Sequence, residues 1–329
     1  MVWNEPLAVK VADNPHSISM LRNEVRRSCG VKSRHPNLLG IRDDSLVRAA
    51  FHEAGKNSKY FAAVLMPDCG SVRNIMRKRG GGFQGREDLI LCVLRSILNA
   101  LDFLHQQHIP HGDITAGHVY LTSPRRFHTC SPLKLGFAAT LYHEDETAPG
   151  TTCSASLPMS SISQWAAAPE VAVASHNSDY KHLYSEEKAD IWLVGITALE
   201  LAYGGLQLPN RNALEAMLKD ILHNNKLPAP ATNRSHKQIT IETERTHFLK
   251  HYARKLLPQF SFSSSSPFSS TFTSMVIQCL AWDPTKRPTA HKLLSHKFFQ
   301  KKFPRYEDDG NYFYHHVLGD QMNNLTIHD

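Results

Sequence analysis

The side chains best suited to chemistry lie in one short stretch of sequence, His111 to Leu121. Its acid, Asp113, could accept the proton of a hydroxyl group as a general base. Its second histidine, His118, is a poor ligand for magnesium, because hard cations prefer oxygen ligands. Gly136, in the next apolar run, has no side chain with which to coordinate a metal. The pattern therefore indicates a base without a metal site beside it, and we predict no metal ligands.

Two elements would position this stretch. Residues Leu89 to His108 predict an amphipathic helix, because apolar residues recur there at helical spacing: Leu91, Leu94, Leu98, Leu101 and Leu104. The short apolar run Val119 to Leu121 predicts a strand. Asp113 is thus expected in a loop between a helix and a strand.

The sequence of this loop, "HGDITAGHVYL", resembles the catalytic loop of protein kinases, whose pattern is His-Arg-Asp, four residues, then Asn. In that family the Asp accepts the proton of the substrate hydroxyl and the Asn holds magnesium. Asp113 matches the base, whereas His118 replaces the Asn and Thr115 replaces a Lys that steadies the phosphoryl group. Gly112 replaces an Arg that receives an activation-loop phosphate. The resemblance makes Asp113 a vestigial base.

The run "LKLGFA" stands where kinases carry Asp-Phe-Gly, whose Asp holds the magnesium that bridges two phosphates of ATP. Gly136 replaces that acid, and Phe137 is retained as an apolar packing residue. The nearest acids that follow are Glu144 and Asp145, in a loop rich in Ser and Thr over residues 139–164. The resemblance implies that the fold is kept while the metal site is removed.

By the same resemblance, four residues would contact a nucleotide. Lys10 lies in a run that predicts a strand, and the kinase Lys at this place pairs with ATP phosphates and with a helical Glu, here Glu24. Taken alone, a lysine in a strand is usually a solvated edge residue. Met66 would be the gatekeeper residue and Cys69 part of the hinge.

The residues that precede Lys10 contain no glycine and are too few for the two strands and the Gly-x-Gly-x-x-Gly loop that cover the phosphates in kinases. Either the protein lacks this lid or the sequence is truncated. Both readings predict weakened nucleotide binding. We expect ATP, if bound, to bind without magnesium.

Two further motifs concern architecture. "AAAPEV" resembles the Ala-Pro-Glu motif that ends a kinase activation segment, and its Glu170 is expected to pair with Arg287. "KADIWLVGITALEL" resembles the central helix of the large lobe, in which an acid, here Asp190, bonds back to the catalytic loop. These motifs argue for the fold and not for catalysis.

We predict an α+β, bilobal protein-kinase-like fold with a small β-rich N-lobe, which lacks the first strands and the Gly-rich loop, and a large helical C-lobe. The predicted boundaries are residues 1–66 for a partial N-lobe, 67–71 for the hinge, 72–300 for the C-lobe and 301–329 for a tail. Ser-rich sequence within residues 226–274 predicts a flexible insert. The tail lacks clear periodicity and is either a docking segment or a frayed end.

Composition excludes several classes of protein. The net charge of +7 comes from scattered Lys and Arg residues, so we do not expect a nucleic-acid partner. The 6 cysteines form no Cys-x-x-Cys pair, which disfavours a zinc site and a disulfide scaffold. No basic segment followed by an apolar core opens the chain, and the most apolar run, residues 191–206, is too short to cross a bilayer. A soluble intracellular protein without a membrane partner is expected.

Within the kinases, "ADIWLVGITALELAYG" and "RPTAHKLLSHKFF" resemble the sterile-20 branch, and the lost residues resemble the pattern of the STRAD pseudokinase adaptors. That resemblance implies a kinase fold that can bind ATP without transferring phosphate. It also implies a partner Ser/Thr kinase of the tumour-suppressor liver-kinase type, a helical-repeat scaffold protein, and a cytoplasmic location with the nucleus as a second compartment. The ending "NNLTIHD" departs from the Trp-Glu-Phe terminus of those adaptors.

Three hypotheses follow. The leading one is a pseudokinase adaptor that activates a partner kinase. The second is a divergent Ser/Thr kinase that uses Asp113 as base, Lys10 for the phosphates, and Glu144 or Asp145 for a metal. The third is a truncated product that folds poorly.

Overall fold

The structure is a computed structural model. It describes residues 7–12, 35–39, 41–42, 60–65, 70–83, 85–122, 131–136, 166–176, 185–204, 211–227, 268–301 and 309–323, together with positions 18, 21, 24, 25 and 28. The six strands are β1 (Leu7–Ala12), β2 (Leu38–Leu39), β3 (Ile41–Arg42), β4 (Tyr60–Leu65), β5 (Val119–Leu121) and β6 (Leu133–Gly136).

The first sheet has the order β1-β4-β3, with both pairs antiparallel. Strand β1 confirms the strand expected around Lys10, and Lys10 is opposite Ala62 of β4. Both strands are rich in Val, Ala and Leu, and β4 adds aromatic residues, a composition that suits a pleated surface. The apolar pattern of residues 45–50 also predicts a strand, and these residues lie outside the described ones.

The second sheet has the order β2-β6-β5 and brackets the catalytic-type loop. Strand β2 runs parallel to β6, and β5 runs antiparallel to it. Because β5 follows the loop directly, its pairing with β6 determines which residue of β6 faces the end of the loop. The register Val119↔Leu135 places His118 opposite Gly136.

Helical residues occur among the described positions 18–28, and the helices whose bounds the structure gives are α1 (Val72–Lys78), α2 (Glu87–His105), α3 (Pro169–His176), α4 (Glu186–Tyr203), α5 (Arg211–Asn224), α6 (Ser270–Cys279), α7 (Ala290–Leu294) and α8 (Asp309–Asn323). Short 3₁₀ turns cover Pro284–Lys286 and Lys297–Gln300. Ser71, a residue type that favours the N-cap position, caps α1 by accepting a hydrogen bond from the Asn74 amide at 3.3 Å.

The core forms around α2 and α4. The leucines that predicted α2 are buried, and its first turn carries Glu87 and Asp88, which favour the positive end of the helix dipole. Helix α4 is buried on every side from Ala189 to Tyr203, which explains why its sequence shows no polar face. It ends at Gly204, whose φ of +86° lies in the left-handed region that favours glycine. The predicted α+β architecture, with a small sheet and a larger helical part, is confirmed.

The tail differs from a frayed end. Helix α8 packs against α2, with Phe313 and Val317 buried at helical spacing. The Arg95 guanidinium of α2 lies 2.7 Å from both carboxylate oxygens of Asp309. Of the predicted insert, residues 228–267 lie outside the described residues, whereas residues 270–274 begin helix α6. Within the described chain, no helix combines the length and apolar character needed to span a membrane.

Candidate functional site

A buried acid of α4, Asp190, holds the start of the catalytic-type loop. Asp190 is fully buried, and its two carboxylate oxygens accept hydrogen bonds from the amides of His111 and Gly112, each at 2.7 Å. Nε2 of His105, at the end of α2, lies 2.9 Å from the same carboxylate. The prediction that Asp190 bonds back to the loop is confirmed. Three elements therefore converge on one charge, which holds the loop in place.

His111 is held in one tautomer by the two hydrogen bonds of its ring. The Asp113 amide donates to Nδ1 at 3.2 Å, so the proton is on Nε2, which donates to the carbonyl of Gly136 at 3.0 Å. Burial lowers the pKa of His111, against the opposing effect of the Asp190 and Asp113 carboxylates. A neutral imidazole thus links the loop to the end of β6.

Asp113, the candidate base, is buried beside His118. Its carbonyl oxygen lies 3.0 Å from Nδ1 of His118, and its Oδ2 lies 3.5 Å from the same nitrogen. A carbonyl oxygen can only accept a hydrogen bond, so Nδ1 of His118 carries a proton and donates the hydrogen bond. In the neutral ring only Nε2 then has a lone pair, and an imidazole nitrogen remains a poor ligand for magnesium.

The two positions that hold magnesium in active kinases face each other. The amide of Gly136 donates to the carbonyl of His118 at 2.8 Å. Neither residue offers a carboxylate or amide side-chain oxygen, so the described residues do not fit a magnesium ion. Among the residues that the structure describes, no three His, Cys, Asp or Glu side chains form a metal-binding group. Glu144 and Asp145, the acids considered for a substitute site, lie outside the described residues.

The Tyr120 ring lies against Gly136. A Cβ atom built on Gly136 would be 2.7 Å from Cε2 and 3.2 Å from Cδ2 of that ring. Burial raises the pKa of Tyr120, and the carboxylates of Glu24 and Asp113 raise it further. The Tyr120 hydroxyl therefore lies within electrostatic range of both Asp113 and Glu24.

A second buried acid of α4 holds the middle of the loop. Glu200 accepts from the Ala116 amide at 2.9 Å and from Nε of Arg73 at 2.5 Å. The backbone amide of Arg73 donates to the carbonyl of Ala116 at 3.0 Å. The start of α1, the loop and α4 are thereby joined at one charged pair.

The predicted pair at the end of the activation segment is confirmed. The guanidinium of Arg287, whose side chain is fully buried, contacts the two carboxylate oxygens of Glu170 at 2.6 and 2.8 Å. It lies 5.0 Å from the centre of the Trp192 ring. The indole nitrogen of Trp192 in turn donates to the carbonyl of Ala166 at 2.8 Å. This cluster anchors residues 166–170 to α4.

The four predicted nucleotide contacts are only partly described. The backbone of Lys10 lies in β1, whereas its side chain lies outside the described residues. Glu24 is helical and 5% exposed. Met66 and Cys69 lie outside the described residues. The pairing of Lys10 with Glu24 and the roles of all four residues stay predictions.

Sequence reasoning missed Tyr120 and the contact between Arg73 and Glu200. The signal for the contact was Glu200 itself, a charge inside the apolar sequence of α4. Such a charge requires a buried partner, but nothing local shows that the partner precedes it by 127 positions. The signal for Tyr120 was an aromatic residue in the strand that directly follows the loop.

Comparisons with known proteins agree with this geometry. The family described as Protein kinase domain matches residues 4–299. Serine/threonine-protein kinase fray2 of Dictyostelium discoideum is 27% identical over 313 residues, which are 92% of this chain and 24% of that protein. Germinal center kinase 3 of Caenorhabditis elegans is 24% identical over 316 residues, 91% of this chain and 43% of that protein.

STE20-related kinase adapter protein alpha of Mus musculus is 26% identical over 223 residues, which are 64% of this chain and 49% of that protein. The chain thus spans between 24% and 49% of the length of these three relatives. The resemblance to sterile-20-type kinases and their adaptors is confirmed. Identity to the named kinases and to the named adapter is similar, so the choice between these activities depends on the site.

Proposed function

Because this chain belongs to the protein kinase domain family, we propose that it is a catalytically impaired adaptor, a pseudokinase that binds and allosterically activates a partner Ser/Thr kinase. One observation carries the proposal. Gly136 and His118 face each other at the metal positions, and neither supplies a side-chain oxygen.

The missing oxygens matter because phosphoryl transfer depends on electrostatic stabilisation more than on covalent chemistry. Metal ions neutralise the charge that develops on the phosphates, and comparable electrostatic groups contribute about 3–4 kcal/mol each to barrier lowering. Asp113 supplies only a proton acceptor. A base without the metal leaves the larger part of the barrier in place.

The preserved architecture supports a binding role. Amides of the loop donate hydrogen bonds to Asp190 and Glu200, and the ion pair of Glu170 and Arg287 anchors the end of the activation segment. These buried contacts hold the loop and the end of the activation segment in place. An adaptor needs an ordered surface for binding its partner and does not need catalytic chemistry.

The remaining parts of the proposal come from the resemblance. One relative is named a kinase adapter. We therefore propose a partner Ser/Thr kinase of the tumour-suppressor liver-kinase type, a helical-repeat scaffold protein as third component, and a cytoplasmic and nuclear location. Lys10, Glu24, Met66 and Cys69 are proposed to contact ATP that binds without magnesium.

The first experiment measures phosphate transfer. Purified chain is incubated with magnesium, radiolabelled ATP and a basic protein substrate, beside the variant Asp113→Ala and an active sterile-20 kinase as positive control. We expect the chain and its variant to give the same background signal. Transfer that depends on Asp113 would instead support the divergent kinase.

The second experiment measures activation. A candidate partner kinase is assayed alone, with the chain, and with the Asp113→Ala variant. We expect both forms to raise partner activity equally, because activation does not use the base. Calorimetric titration with ATP, once with magnesium and once with chelator, complements it: equal binding in both fits a nucleotide-stabilised adaptor, whereas binding only with magnesium contradicts the proposal.

A further inference from the structure

The Tyr120 ring occupies space that a side chain at position 136 would need. A Cβ atom on Gly136 would lie 2.7 Å from the ring carbon Cε2, a separation that real Cβ atoms essentially never show. The same Cβ would lie 3.6 Å from the carbonyl oxygen of His118, which is an ordinary contact. The obstacle at this position is therefore the ring and not the strand opposite.

The backbone of Tyr120 is fixed on two sides. On one side it pairs with Lys134 of β6, and on the other it forms a bridge with Ser71. The next amide, that of Leu121, donates to the carbonyl of Gly70 at 2.9 Å. Moving the ring away requires a change of its rotamer next to Glu24 and Asp113, whose charges raise the pKa of its hydroxyl after burial.

We infer that Tyr120 closes the metal position of this cleft. The inference rests on the proposed function and deepens it, because magnesium is excluded by a packed ring as well as by missing ligands. Restoring the acid at position 136 would then fail to restore a metal site unless the ring is also made smaller. The Tyr120 ring occupies the space that a metal-binding side chain at position 136 would need.

The first test is a double-mutant cycle on the full chain with Gly136→Ala and Tyr120→Leu. Gly136 has no positive φ, so alanine suits its backbone and would by itself stabilise the folded state. We expect Gly136→Ala to lower the urea midpoint of unfolding in the wild-type background, and to lower it less when Tyr120→Leu is present.

Gly81→Ala is the matched control, because its added Cβ meets no atom within 4 Å and its φ is not positive. It should leave the midpoint unchanged or raise it. If Gly136→Ala behaves like Gly81→Ala, or if its effect is the same with and without Tyr120→Leu, the inference is overturned.

The second test measures metal binding with manganese alone, by paramagnetic resonance and calorimetry. The variant that combines Gly136→Asp with His118→Asn restores the side-chain oxygens of both positions but retains the ring. We expect it to bind no more manganese than the wild type, and expect binding to increase when Tyr120→Leu is added. Binding in the presence of the ring would overturn the inference, as would no gain on its removal.

The two proposals fail separately. Additive effects in the cycle would remove the role of Tyr120 and leave the adaptor standing, since the adaptor needs only the absent oxygens. Failure to activate any candidate partner would count against the adaptor and leave the steric coupling of Tyr120 and Gly136 unchanged.

Discussion

Two regions of the molecule, the end of the activation segment and the metal positions, differ in what their polar side chains do. At the end of the activation segment, each of the five N–H donors of Arg287 has an acceptor: Glu170, Ala281, Lys188 and Trp282 supply them. At the metal positions, His118 and Gly136 contact each other through backbone atoms. The first region keeps a complete set of charged contacts, and the second has lost its ligands.

The difference shows which contacts the fold requires. A buried arginine without its carboxylate leaves an uncompensated charge, so the loss of either partner alone is strongly destabilising. A magnesium ligand has no such role, because active-site carboxylates repel one another until the metal binds. The chain can lose its metal ligands without losing stability, and filling their place with a tyrosine ring adds packing.

The largest expected effect comes from breaking the first region. Arg287→Ala strands the Glu170 carboxylate and removes the cation above Trp192, so we expect a loss of about 3–5 kcal/mol in the free energy of unfolding. Urea denaturation measures it. The control is Arg86→Ala, which removes an ion pair whose arginine side chain is 40% exposed, and should cost about 1 kcal/mol or less. Equal losses for the two variants would erase the contrast between the regions.

The second-largest expected effect comes from replacing Asp190, the acid that holds the start of the loop. Asp190→Asn keeps one acceptor oxygen for one of the two amides but turns an NH₂ donor toward the other, either that of His111 or that of Gly112, and we expect a loss of about 1.5–3 kcal/mol. Hydrogen exchange at these two amides should accelerate. Asp102→Asn is the control, since among the bonds described the side chain of Asp102 contacts only the exposed ring of His291. If the amides of His111 and Gly112 exchange at the same rate in both variants, Asp190 does not hold the loop in place.

The resemblance to protein kinases predicted these anchors, because each lies in a motif that can be matched in the sequence. Asp190 interrupts an apolar helix, and Glu170 and Arg287 lie in motifs with proline beside them. A charge in an apolar setting must be paired, so its partner can be sought among the few remaining charges. The fold and the loss of the metal ligands were inferred from the resemblance of the motifs around Asp113 and Gly136 to those of protein kinases.

The contact of Tyr120 with Gly136 could not be predicted in that way. It depends on the register of β5 and β6 and on one rotamer, and neither leaves a pattern in sequence. Helix α8 was missed for a related reason. Its apolar residues do recur at helical spacing, Phe313 with Val317 and Tyr314 with Leu318 and Met322, but Gly, Asp and His residues interrupt the run and weaken the periodic signal.

Helix α8 provides a smaller perturbation outside both regions. Arg95 joins it to α2 through Asp309 and also donates to the carbonyls of Phe299 and Lys301. Both side chains are partly exposed, so we expect Arg95→Ala to cost about 1–2 kcal/mol. Limited proteolysis should then cut more readily after residue 301, while the activation of a partner stays unchanged. An unchanged digestion pattern would show that the apolar contacts hold α8 alone.

The smallest expected effect concerns pH and tests whether the second region is as neutral as its geometry indicates. Burial lowers the pKa of His111 below its usual 6.5, so the folded chain keeps the ring neutral while the unfolded chain binds a proton. Stability from this histidine is therefore present above pH 6.5 and is lost as the pH falls. In His111→Gln the free energy of unfolding should fall less steeply between pH of about 7 and 5, by at most about 1.4 kcal/mol per pH unit.

Because His35 and His296 also have lowered pKa values, only the difference between the slopes of the wild type and of His111→Gln reports on His111. Parallel slopes would mean that the ring is protonated in the folded chain. Its two hydrogen bonds argue otherwise, since Nδ1 must accept from the Asp113 amide while Nε2 donates to Gly136.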